Sequence, residues 1–103
     1  MSTSHEPGPA IQNAIAEAER RASEARERAA HSGLSAARSF EQSAIHHERV
    51  AEVQDRTVEQ GVSDVGVHRR SAAVHRQAAA DDRNLARLKR TESEACLSTD
   101  PDQ

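Results

Sequence analysis

Apolar and polar positions between Val67 and Arg90 recur every seven residues, through VHRRSAA, VHRQAAA, DDRNLAR and LKR. At about 3.6 residues per turn, such a repeat brings side chains spaced by fours and threes onto one stripe, and predicts a helix that lies along other helices. The stripe here reads Val67, Ser71, Val74, Ala78, Leu85 and Leu88, with Asp81 interrupting it. Arg69, Arg76, Arg83 and Arg90 supply one cation per heptad, about 200° from the Val67 column at about 100° per residue. His68, Ala72, His75, Ala79 and Ala86 occupy a shoulder between the two.

Two further stretches carry the same spacing. Ile11, Ile15, Ala18, Ala22, Ala25 and Ala29 form one stripe, almost wholly alanine after its first turn. Ala37, Phe40, Ala44, His47, Ala51, Gln54 and Val58 form another, widened by Val50 and Val53. Three helices are therefore expected, at about 9–31, 36–60 and 64–90, preceded by a disordered lead at 1–8 and followed by a disordered acidic tail at 91–103. Pro9 suits the first helical position, where its missing N–H is not needed. Gly33 with Ser35 marks a first break, although one glycine does not forbid a continuous helix and two helices are the alternative. Gly61 marks a stronger break, followed by Ser63 as N-cap and by Val62 and Val67 as a hydrophobic staple. The fold class is all-α: two to three antiparallel helices with alanine-rich, coiled-coil-like seams and flexible termini.

Composition makes that core thin. The chain has 19 alanines against 15 residues of Ile, Leu, Val or Phe, and Phe40 is its only aromatic residue. Fully burying a large aliphatic side chain contributes about 1.5–3 kcal/mol, so a monomer with so few of them is marginal. Self-association or a helical protein partner would complete the core. The N-terminus has neither a basic start nor an apolar run, and the chain carries no apolar stretch of membrane length. The expected setting is cytoplasmic and away from the membrane. Cys96 has no second cysteine to pair with.

Charge sets the third helix apart. Residues 61–90 sum to +4, whereas 1–33, 34–60 and 91–103 sum to −1, −2 and −4. The ridge Arg69, Arg76, Arg83 and Arg90 could contact a polyanion, which gives an alternative reading as a basic-helix binder of nucleic acid or of an acidic partner. Against it stand the absence of aromatic residues in that helix and of any recognisable reading motif. The six histidines raise a second alternative. His47, His68 and His75 lie on or beside the stripes and are candidates for a cross-helix metal site or a pH response. His68 and His75 are two turns apart, about 10 Å along the axis, too far to share an ion. No glycine-rich phosphate loop, nucleophile elbow, HExxH or cysteine pair is present, so neither catalysis nor a cofactor is expected. The leading expectation is a small protein–protein interaction or assembly module that acts by helix packing through Phe40, Val58, Val67, Val74, Leu85 and Leu88.

Overall fold

The computed structural model of the chain describes residues 8–61 and 64–98. They form two helices, α1 (Pro9–Gln60) and α2 (Val65–Leu97), packed antiparallel as a hairpin, with no strand among the described residues. The molecule is a rod of 93 × 19 × 14 Å. Residues 1–7, 62–63 and 99–103 lie outside the description, and with them the Ser63 cap, the Val62 side of the staple, nearly all of the N-terminal lead and the end of the acidic tail.

The ends of the helices follow from local chemistry. Pro9 opens α1, and the Gly8 carbonyl accepts from Gln12 N–H at 2.9 Å. Gly61 ends it at φ 63°, a left-handed conformation that glycine adopts without a Cβ penalty. Its N–H donates to the Thr57 and Val58 carbonyls at 3.2 and 3.1 Å. Asp64 caps α2, its carboxylate accepting from Val67 N–H at 3.2 Å. The cap is thus one residue later than the Ser63 expected from the sequence.

Two expected boundaries are absent. The helix runs straight through Gly33, because Gly33 lies in the interface between the helices. A Cβ built there would fall deep inside the van der Waals radius of Ser93 Oγ and 3.4 Å from the Lys89 carbonyl oxygen. Glycine is used at this position for its size. At the other end, α2 continues seven residues past Arg90 to Leu97. Ser93 takes the next place in the buried column, and no helix breaker intervenes before Pro101.

That column is the core. Ala30, Ala37, Ala44 and Ala51 of α1 and Ala72, Ala79, Ala86 and Ser93 of α2 are the buried residues, each set spaced by seven. Alanine at seven of the eight buried positions lets the helix axes come close but removes little apolar surface. At about 0.8 kcal/mol per buried carbon, the seven alanines together contribute no more than two to four buried leucines would. The hairpin is held by fit and register more than by area.

Candidate interaction surface: an ion-pair ladder, a polar seam and an outward stripe

Along one flank of the hairpin, α1 carboxylates meet α2 arginines every seven residues. Asp55 pairs with Arg76, Glu48 with Arg83 and Glu41 with Arg90, the last through Arg90 Nε to Glu41 Oε1 at 2.8 Å. The arginine ridge is therefore turned toward its own chain at three of its four positions, while Arg69 is exposed. All three pairs are near half-exposed, and such pairs contribute about 0–1 kcal/mol each. Their larger effect is on alignment, since they fix which turn of α2 lies against which turn of α1. The hydrogen bond from Arg76 holds the Asp55 carboxyl below its ordinary value, and the Arg76 guanidinium is correspondingly raised.

Between the alanine layers the seam is polar. Gln54 Oε1 bonds His68 Nδ1, and one heptad further on His47 Nδ1 lies 2.8 Å from His75 Nδ1. Two ring nitrogens at that distance must share one proton: one donates N–H and the other accepts with its lone pair. Asp82 stands on the far side of His47, with Oδ2 3.9 Å from Nε2. That oxygen is buried and has no hydrogen-bond partner. The candidates His47 and His75 thus come together, whereas His68 belongs to the neighbouring layer. Among the described residues no group of three or more His, Cys, Asp or Glu side chains is placed to hold a metal ion.

Compared with protein-family models, with curated proteins and with solved structures, the chain matches none. What the surface can do must come from its own geometry.

The residues expected to carry packing divide into two groups. Phe40 and Val58 lie half-buried in the seam that faces α2. Val67, Val74, Leu85 and Leu88 do not face α1, which corrects the seam expected for the last helix; they stand 47%, 66%, 40% and 58% exposed. The α2 sequence carries two stripes of four-and-three spacing, and the hairpin closes on the shoulder stripe Ala72, Ala79 and Ala86. With that stripe inward, alanine meets alanine, and Arg76, Arg83 and Arg90 come beside their carboxylates. With Val67 and Val74 inward, both would be lost.

The Val67 stripe lies on the flank opposite the ion pairs. Val50 and Val53 of α1 continue the same face. So does the projecting N-terminal part of α1, where Ile11 and Ile15 are 57% and 47% exposed. The hairpin is thus amphipathic as a whole, charged along one flank and less so along the other, where α2 carries Asp81 and, beyond Leu88, Glu92 paired with Lys89. Among the described residues no helix is long and apolar enough to cross a membrane. The carboxylates Glu41, Glu48 and Asp55 and the close contact of Gly33 with Ser93 were not singled out by the sequence reading. The seven-residue spacing of those carboxylates, matching that of the arginines, was the available signal.

Proposed function

We propose that this chain is a cytoplasmic helical hairpin that serves as an interaction or assembly module, docking another protein helix along its outward stripe. One observation carries the reading: α2 keeps its largest aliphatic side chains, Val67, Val74, Leu85 and Leu88, out of its own core. Scattered exposed aliphatics need no explanation, but a stripe in heptad spacing over about six turns is a seam without a partner. Three of the four arginines of the charged flank are already paired within the chain, so the opposite flank is the surface for association. Binding of a polyanion would compete with three intramolecular ion pairs, and nothing in the arrangement favours that second reading.

A photo-crosslinking residue placed at Val74 in the expressing cell tests the proposal. A discrete crosslinked protein is expected from this position and none from Arg49, which lies on α1 away from the outward stripe. Crosslinking from Arg49 but not from Val74 would refute it.

A further inference from the structure

The occupant of the outward stripe can be argued from the unequal lengths of the helices. α1 has 52 residues and α2 has 33, so about 28 Å of α1, at 1.5 Å per residue, projects beyond its partner. No described residue before Ala30 is buried. The inner seam loses its alanines in the projection apart from Ala16, its columns reading Gln12, Ala16, Glu19, Ser23 and Arg26. The outward stripe does continue there, through Ile11, Ile15, Ala18, Ala22 and Ala25. An end that keeps only the outward stripe has nothing in its own chain to pack against.

Resting on the docking role proposed above, we infer that the occupant is a second copy of this chain. A two-fold axis perpendicular to the rod relates the copies, and each projecting end lies in the outward groove between the two helices of the other. The lengths agree. The stripe from Ile11 to Ala29 spans about 27 Å and the α2 stripe from Val67 to Leu88 about 32 Å, at 1.5 Å per residue. The sizes are complementary, since a mostly alanine stripe meets valines and leucines.

The crossing point agrees as well. His75 lies beside His47, so the middle of the α2 stripe, near Ala78, stands opposite Ala44. Placing the middle of a projecting end, near Arg20, beside it puts the axis close to Ser32. There an open groove of about 370 Å³ between the helices is lined on its α1 side by the small residues Ala29, Ser32, Gly33 and Ala36, and on its α2 side by Ser93, Cys96 and the ion-paired Lys89 and Glu92. Small residues at this point let the two α1 helices pass in contact. The arrangement is isologous and closed, so it ends at a dimer and does not grow into a filament. Each half becomes a three-helix bundle in which the outward valines and leucines are covered.

Sedimentation of the purified full-length chain should give twice the monomer mass. Changing both Ile11→Asp and Ile15→Asp should weaken the dimer by about 10,000-fold, a tenfold loss for each of the four buried aliphatics that the two copies replace by a charge. The helical signal of the hairpin should persist, because both positions lie in the projecting end, beyond the reach of α2. In a Cys96→Ser background, Ser32→Cys should form an intermolecular disulfide on mild oxidation. A dimer that survives the two aspartates, or that leaves position 32 unlinked, overturns this arrangement. A monomer up to the limit of solubility overturns the second copy as occupant. If that monomer crosslinks to a different protein from Val74, the docking role stands without self-association; if it crosslinks to nothing, both fail.

Discussion

Gly33 and Ser93 offer the sharpest test of the packing because two opposing effects meet there. Replacing an interior helical glycine by alanine ordinarily stabilises by about 1 kcal/mol. At this position the new Cβ collides with Ser93 Oγ, which donates to the Lys89 carbonyl at 2.7 Å. Ser93 is 2% exposed, so a hydroxyl driven off that carbonyl loses its partner in a buried place. An unsatisfied buried group costs about 1–3 kcal/mol, which exceeds the helix gain. Gly33→Ala alone should therefore destabilise by about 1 kcal/mol. Ser93→Ala alone should be nearly neutral, since alanine's better helix propensity offsets the lost hydrogen bond. Together the changes convert the site into another alanine layer. The Ser93 Cβ and the Lys89 carbonyl oxygen both lie 3.4 Å from the added Cβ, a distance that small adjustments can accommodate. The double variant should gain about 1 kcal/mol, a coupling of about 2 kcal/mol between the sites. For a chain of this size each kcal/mol shifts the melting temperature by about 4–8 °C. Thermal unfolding followed by helical circular dichroism at one fixed protein concentration reads all four species. Additive effects, or a full stabilisation from Gly33→Ala alone, would refute close packing at this layer.

Three further outcomes follow from the flank and the seam. Arg83→Glu places like charges at the Glu48 pair and should cost about 0.5–1 kcal/mol in urea unfolding, with Glu48→Arg in the same chain restoring most of it. His47→Leu together with His75→Leu should raise the melting temperature, because an apolar pair replaces a polar one in the seam, while either change alone should lower it by stranding the remaining ring's Nδ1. Asp55 titrates below its ordinary value in the fold, so its contribution is complete above the ordinary aspartate value of about 3.9 and is lost as pH falls through the depressed one. Asp55→Asn should accordingly lessen the fall in melting temperature between pH 5 and pH 2, since an uncharged side chain has no such contribution to lose.

The sequence reading reached some of these elements and missed others for identifiable reasons. The face of α1 that meets α2 was legible, since Ala37, Ala44, Ala51, Phe40, His47, Gln54 and Val58 offer one set of columns and Gly61 ends the helix after them. The turn followed from glycine's access to positive φ. Gly33 was misread because the usual reason for a glycine, backbone freedom, says nothing about a neighbour that leaves no space for a Cβ. On α2, two stripes satisfied the same spacing, and the ordinary preference for burying valine and leucine selected the wrong one. Deciding between them needed the charge register across both helices, with Glu41, Glu48 and Asp55 read against Arg90, Arg83 and Arg76. The meeting of His47 with His75 likewise depends on register, which the turn and the ladder set and which neither histidine's neighbours reveal.

The choice of stripe has a thermodynamic consequence. A hairpin that closes on alanine and leaves valine and leucine outside has its larger apolar reserve still in water. Whatever covers the outward stripe then buries valine and leucine surface that the inner seam leaves in water. For the dimer inferred above, association adds to the stability of a hairpin that is marginal alone, because the inner seam gains little and the projecting end of α1 has no buried residue within its own chain. The melting temperature should then rise with protein concentration, as it must when the folded state is favoured by mass action. With Ile11→Asp and Ile15→Asp that dependence should vanish, leaving a lower and concentration-independent transition from the alanine seam and ion-pair ladder alone. A wild-type melting temperature that stays constant over a hundredfold dilution would show that the inner seam suffices, and the argument from thin burial would be wrong.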